Sequence, residues 1–486
     1  MIIPSSKYSS LSETVRIRPL ERLHILNSTQ SKTRSLPSEL LSIIFQYACP
    51  TPPDIFGKKR IPTMAPFHLI LRLVSTLWYD ISQSTPQLWA SIFLPKLRAE
   101  NVDIRARYLK LCLDNSGNIP LTVSLRFEKK LWNIGWFISP VVDAALERSA
   151  HRIQALRILR PPGDWLEKLI PKMCQLATIH IDNPRPNLPW SPDQRVERLL
   201  LPRSSNMNRI YIRCPCLFDL RSAPTAQSIT HVEIFELPVD FVMEFLSRCP
   251  NLVAFHCRYP IAPSQVKNPH TMLTSPFVLR HLSTFTWSTT RILDRISEWD
   301  ITLFEHIHFP ALTRFNWWPG LCFDVDDTAL ALRISRFPTS VTTLQFGGVG
   351  YRSVETFYLI HLFPFTGVTQ LRLLHCEYYF VDQAFSFLSR GTERSSTLFP
   401  QLTSIMIDYR VAEVATPRWK MFHSESGKKV VQMLRSRIGL IDEFTLIVET
   451  AHFTQRWNDE VWQAVRQVKR DGLDLTIIEY GRPIFI

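Results

Sequence analysis

One short pattern, apolar-x-x-apolar-x-apolar, recurs through most of this 486-residue chain and limits what it can fold into. It reads Ile153-x-x-Leu156-x-Ile158, Leu176-x-x-Ile179-x-Ile181, Val196-x-x-Leu199-x-Leu201 and Ile229-x-x-Val232-x-Ile234. It begins again at Leu252, Leu282, Leu312, Val341, Val368 and Leu402. The closing alternation of each unit has the two-residue period of a strand with one buried side and one wet side. Units begin 23 residues apart at Ile153 and Leu176 and 30 apart at Leu252 and Leu282. A unit of that length cannot bury its apolar side alone, so neighbours must stack.

Helical stretches separate several of these strands. Pro238 to Pro250 is the clearest, with Phe241, Phe245 and Leu246 on one side and a proline before the next strand. Thr328 to Pro338, Val354 to Phe363 and Asp382 to Arg390 read the same way. Upstream, a helix from Arg107 ends near Gly117 and feeds a strand at Leu121 to Leu125, a natural cap for stacked repeats. Residues 413–429 interrupt the pattern, and two terminal strands follow at Glu443 to Val448 and Leu473 to Ile478.

The N-terminal part obeys a different period. Leu36, Leu40, Ile43 and Ile44 share one side of a helix by three- and four-residue spacing, and Leu71, Val74, Trp78 and Ile81 repeat the device on a second. Two short amphipathic helices cannot bury both faces of themselves, so the spare apolar side needs the rest of the chain or another protein. Leu36-Pro37-Ser38-Glu39-Leu40-Leu41, with Val74-Ser75-Thr76-Leu77-Trp78, resembles the core motif of the F-box family over roughly residues 34–92. Ser84-Thr85-Pro86-Gln87-Leu88-Trp89 is similar to a tail of the F-box-like proteins of higher fungi. The insertion from Cys49 to Pro62 departs from that pattern, and its prolines predict a surface loop.

The resemblance implies a helical module that docks on a Skp-type adaptor and, through it, on the cullin of a ubiquitin ligase, with Leu36, Pro37, Leu40, Ile44, Val74 and Trp78 at or beneath the docking surface. The repeats resemble the irregular leucine-rich repeats that follow F-boxes, with Cys249-Pro-Asn-Leu252 and Phe309-Pro-Ala-Leu312 as the corner motifs. Their polar ladder residue is mostly missing, His375-Cys376 being the best candidate. The expected architecture is therefore α/β: a tail over 1–33, an F-box-like helical domain over 34–92, a linking helix and cap over 93–150, and a solenoid over 151–486 with parallel strands and helices on the convex side. The alternative is a repeat scaffold whose N-terminal helices pack on its own repeats and meet no adaptor.

Composition narrows the remaining choices. With 45% hydrophobic and 20% charged residues the chain is neither disordered nor fibrous, and no run of apolar residues reaches membrane-spanning length. A cytoplasmic or nuclear protein with no membrane partner is expected. Nine scattered cysteines make no disulfide framework. The net charge of +13 is spread without any run longer than Lys58-Lys59-Arg60, which argues against a dedicated nucleic-acid surface.

No cofactor, metal or catalytic centre is expected. Cys214-Pro215-Cys216 with Cys249 and Cys257 matches no zinc spacing, and Asp324-Val-Asp326-Asp327 lacks the glycine and later glutamate of a calcium loop. Phe346-Gly347-Gly348-Val349-Gly350 lacks the lysine of a phosphate loop and reads as a turn, and His306-Ile-His308 reads as a solvated edge. Trp287, Trp317 and Phe346 fall at inward strand positions, whereas Trp318, one residue on, is expected to be exposed. The outward strand positions predict a target-binding surface made by Thr284, Thr286, Arg314, Asn316, Thr343, Gln345, Gln370 and Arg372.

Overall fold

The computed structural model describes residues 32–49, 67–98, 101–128, 140–161, 165–182, 197–200, 206–213, 216–219, 223–263, 268–273, 275–288, 298–318, 338–348, 366–376, 378–389, 399–409, 424–448 and 457–484. One compact unit lies within Met1–Asn187 and Arg198–Met207, the other within Leu188–Glu197 and Asn208–Ile486. Both are α/β and built on parallel strands. The helices expected at 328–338 and 354–363, and the aspartates at 324–327, lie outside the described residues.

The first unit opens with three helices, α1 (Ser38–Ala48), α2 (Phe67–Val74) and α3 (Thr76–Gln83). The single helix expected from Leu71 to Ile81 is in fact two. Ser75 adopts extended backbone and its hydroxyl accepts the Trp78 N–H at 3.2 Å, so it caps α3 instead of continuing α2. Leu41, Phe45, Leu71 and Ile81 are buried, and the Phe45 and Trp78 rings lie 4.8 Å apart. Pro86–Trp89 forms a 3-10 turn that latches onto this bundle: the Trp89 indole donates to the Ser82 carbonyl at 2.7 Å, and the Thr85 and Ser42 hydroxyls meet at 2.9 Å.

Strands β1 (Ser91–Leu97), β2 (Leu121–Phe127), β3 (Ile153–Leu159) and β4 (Thr178–Asp182) then pair in parallel and in sequence order, with α4 (Val102–Asn115) after β1 and α5 (Pro140–Ser149) after β2. The helix expected to stop near Gly117 does so, and Gly117 takes the left-handed conformation at φ 54°. The buried Arg152 side chain closes that end, donating to the Leu113 and Gly117 carbonyls and the Ser116 hydroxyl.

In the second unit the strands follow β5 (Arg209–Arg213), β6 (His231–Phe235), β7 (Ala254–Arg258), β8 (Thr284–Ser288), β9 (Arg314–Trp318), β10 (Thr343–Gly347), β11 (Gln370–Leu374), β12 (Ser404–Tyr409), β13 (Glu443–Val448), β14 (Asp474–Glu479) and β15 (Arg482–Ile484). All neighbours are parallel except β14 and β15, joined by a two-residue turn in which Tyr480 and Gly481 both have positive φ. The expected Val196 unit is the short strand Glu197–Leu200. Strand β5 was not foreseen, although Met207, Ile210 and Ile212 follow the same spacing and are buried.

Register explains why the motif works. Ile210, Val232, Phe255, Phe285, Phe315, Leu344, Leu371, Ile405, Phe444 and Leu475 stand abreast on successive strands. A second line two residues on holds Cys257, Trp287, Trp317 and Phe346, confirming the three aromatics as core. Helices cover this side: α6 (Val239–Arg248), α7 (Glu298–His306), α8 (Tyr378–Ser389), α9 (Ser424–Ser436) and α10 (Asp459–Arg470). Phe304 of α7 stands edge-on to Phe285 and Trp287, Phe380 of α8 meets Phe346, and the Trp287 indole donates to buried Asp300 at 2.7 Å.

A hydroxyl ladder replaces the one that seemed missing. Just before the strands, Thr230, Ser283, Thr313, Thr342, Thr369 and Thr403 each donate a side-chain hydrogen bond of 3.1 to 3.3 Å to a carbonyl of the preceding unit. The candidate ladder residue Cys376 adds a thiol contact to the Phe346 carbonyl at 3.6 Å. Strand exits repeat as well: Glu236, Tyr259, Gly348 and His375 all have φ between 53° and 65°. The Glu236, Gly348 and His375 N–H groups donate to the neighbouring strand. A Thr313→Val substitution is expected to lower stability by about 1 kcal/mol, the net worth of one hydrogen bond, without disturbing β9. Urea denaturation of the variant against the natural chain checks this.

Candidate functional site

Two surfaces stand out, one in each unit. On α1 and the residue turn before it, Leu36, Leu40, Ile43, Ile44 and Tyr47 follow one another at helical spacing and are all exposed, Leu40 and Ile44 each at 48% and Tyr47 at 89%. The helix points its other side, Leu41 and Phe45, into the unit. Pro37 is exposed, while Val74 and Trp78 are half-buried beneath, Trp78 donating its indole N–H to the Thr33 hydroxyl at 3.1 Å. Ile70 and Leu73 form a second exposed apolar pair on α2. The fold thus leaves an aliphatic stripe in water, the kind of patch that can serve as an interaction surface.

Behind it, His68 holds the module to α4. Its ring lies 4.1 Å from that of Trp89 and stacks at 5.8 Å on Tyr108, whose hydroxyl reaches Nε2 at 3.2 Å. Burial depresses the imidazole to about 4, so it packs as a neutral ring.

The second surface is the side of β5 to β13 away from the helices. Of the eight residues expected to point outward there, Arg314 is exposed, and Thr284, Gln345, Gln370 and Arg372 are half-exposed. Thr286, Asn316 and Thr343 are instead buried. The reason is lateral hydrogen bonding between adjacent strands. Asn316 Nδ2 donates to Thr286 Oγ1 at 2.8 Å, the same oxygen meets His256 Nδ1 at 2.6 Å, and Thr343 Oγ1 donates to Gln370 Oε1 at 3.5 Å, an oxygen that also accepts from Arg372.

Sequence reasoning did not single out His256. Burial first, then Arg258, Arg314 and His231, push its imidazole down to about 4. A folded value below the ordinary 6.5 means the unfolded chain takes up the proton first, so this contribution to stability is present above pH 6.5 and is lost as pH falls toward 4. The ring resonances of His256 are expected to remain those of neutral imidazole until close to pH 4 in an NMR titration; a midpoint near 6.5 would contradict the buried placement.

Trp318 is also corrected. It is half-buried because its indole lies over Gly347, where an added Cβ would come within 2.4 Å of the ring. The pair Trp317–Phe346 sets this register, and a strand-end glycine one residue on was the signal that could have revealed it. Gly347 thus ends β10 and Gly348 makes the turn.

The other constellations resolve into packing. Cys249 and Cys257 are buried free thiols, burial pushing Cys249 up to about 12 and Cys257 well above the ordinary thiol range, while Cys214 lies outside the described residues. His306 bonds the Thr302 carbonyl at 2.9 Å, and His308 is exposed. Among the described residues no group of three or more His, Cys, Asp or Glu side chains is placed to hold a metal, and no helix is long and apolar enough to cross a membrane. Compared with models of known families and with curated proteins, the chain matches none.

Proposed function

We propose that this chain is the target-recruiting subunit of a cullin–RING ubiquitin ligase of the SCF type, built as an F-box-like helical module followed by a leucine-rich-repeat solenoid. The observation that carries this reading is the exposed stripe of Leu36, Leu40, Ile43 and Ile44, on the helix that resembles the opening of an F-box. The stripe supplies the apolar anchors for a Skp-type adaptor, with Pro37 at its rim and Val74 and Trp78 supporting it from beneath. The stacked strand units support the second half of the reading, because they present one row of side chains per strand over an extended surface suited to a protein target.

In this role the chain does no bond chemistry. Its contribution is proximity: adaptor and cullin bring the charged conjugating enzyme, the strand surface brings the protein to be modified, and an encounter between separate molecules becomes an intramolecular one. The test is affinity capture of a purified Skp-type adaptor by the full chain, followed by gel filtration. Co-elution as a one-to-one complex is expected, and separate elution at micromolar concentrations of both proteins overturns the proposal.

A further inference from the structure

The C-terminal ends of β5 to β9 carry, side by side on the side away from the helices, Arg213, Phe235, Arg258, Ser288 and Trp318. Arg258 occupies the centre: its guanidinium carbon lies 5.5 Å from the Phe235 ring and 5.5 Å from the Trp318 ring, so the side chain spans the strand that bears Ser288. Arg213 covers Phe235 from the other side at 5.8 Å, and Tyr211 meets the same ring at 5.3 Å. Stacking on aromatic faces holds a guanidinium flat and leaves its N–H edge free.

The Nε groups of Arg213 and Arg258, the indole N–H of Trp318 and the hydroxyl of Ser288 are all buried with no hydrogen-bond partner. Ser288 is 1% exposed. Orphaned polar atoms gathered on one side of a sheet are costly and call for an explanation. The neighbouring positions deepen the charge: Arg209 and Arg314 are exposed on the same side of β5 and β9, and Glu233 is the one acidic residue at the outward positions of these five strands. This positive field is the one that helps drive His256 toward neutrality.

We propose that this row binds an acidic peptide segment, with the guanidinium groups of Arg213 and Arg258 donating to its oxyanions. An oxyanion is what stacked guanidinium groups bind best, because the planar fork can donate two N–H groups to it. A peptide fits better than a single ion because the cations run from β5 to β9, about 19 Å at the usual strand spacing. Single-stranded nucleic acid fits less well, since the aromatic faces on which bases would stack are already occupied by guanidinium groups. The placement of this site within target recruitment rests on the function proposed above; the binding itself does not.

The experiment is fluorescence anisotropy of the full chain with a labelled glutamate-rich peptide, its glutamine counterpart, a phosphoserine counterpart and an oligothymidine. The glutamine peptide is expected to bind at least about tenfold more weakly than the glutamate peptide, and Arg258→Gln to lose about tenfold as charge-assisted hydrogen bonds disappear. Arg435→Gln, the same charge change on an exposed position of α9, is expected to bind as the natural chain does. Preference between glutamate and phosphoserine assigns the oxyanion's source, and either sustains the proposal. Equal binding of the glutamine peptide, tighter binding of oligothymidine than of both acidic peptides, or an unchanged Arg258→Gln affinity overturns it. Should Arg258→Gln lower the melting temperature, Arg258→Lys decides, because it keeps the charge and removes the fork; affinity equal to the natural chain's then rejects the site. Adaptor capture is measured on the same preparations, so a failure of peptide binding with capture intact rejects this site alone.

Discussion

A Leu40→Asp, Ile44→Asp chain is expected to lose capture of a Skp-type adaptor by roughly a hundredfold or more while melting where the natural chain melts. Both side chains are about half exposed, so the folded unit gives up little when they become polar. At an interface they would be desolvated anchors, each worth about 2 kcal/mol, and a carboxylate in place of either would also be buried unpaired. Leu41→Asp is the informative contrast. Leu41 is 1% exposed and faces the interior, so its replacement should unfold the helical module and abolish capture together with the thermal transition. Undiminished capture by the Leu40, Ile44 variant would place the adaptor elsewhere and remove the observation on which the function rests.

Phe285→Ala is expected to cost about 3–5 kcal/mol, a large share of the 5–15 kcal/mol by which a domain is usually stable. The ring is fully buried between Phe255 at 5.9 Å and Phe315 at 6.2 Å, almost parallel to Phe315, with Trp287, Phe304 and Phe309 closing the other sides. Deleting it leaves a cavity that neither neighbouring strand can collapse into, because each ring is pinned by its own backbone ladder. Phe285→Leu retains most of the volume and should cost about 1–1.5 kcal/mol. Chemical denaturation monitored by circular dichroism reads both. A loss below about 1 kcal/mol for the alanine variant would mean that the aromatic line is not the spine of this unit.

Much of the architecture was legible because the repeated motif acts through a period of two, which sets the apolar line on the helix side of each parallel strand. Every apolar-x-x-apolar-x-apolar unit expected from the chain falls on a strand. Helices α5, α7 and α9 and strands β1 and β5 escaped notice, as did α10. The helix carries Val461, Val465 and Val468 on its buried side, few enough apolar residues that its acidic first turn and basic last turn look like surface. Strand β1 follows the tail that resembles an F-box-like segment, and its neighbour β2 comes only after a helix.

What the linear chain determined by itself was local: strands where apolar residues alternate, helices where they recur every three or four, and an aliphatic stripe on α1 with more apolar surface than one helix can hide. Which side of α1 stays wet, and which outward strand positions remain available, were decided only by tertiary structure. Leu40 and Leu41 are adjacent leucines with equal claims to the core, and the bundle of α1, α2 and α3 buries one of them. Thr286 and Arg314 both face away from the helices, but Thr286 is sealed by His256 and Asn316 from the strands beside it. Arg258, Phe235 and Trp318 come together across 83 positions of sequence from Phe235 to Trp318, because parallel register sets residues from different repeats shoulder to shoulder. Such pairings depend on which strand lies next to which, and no local spacing encodes that.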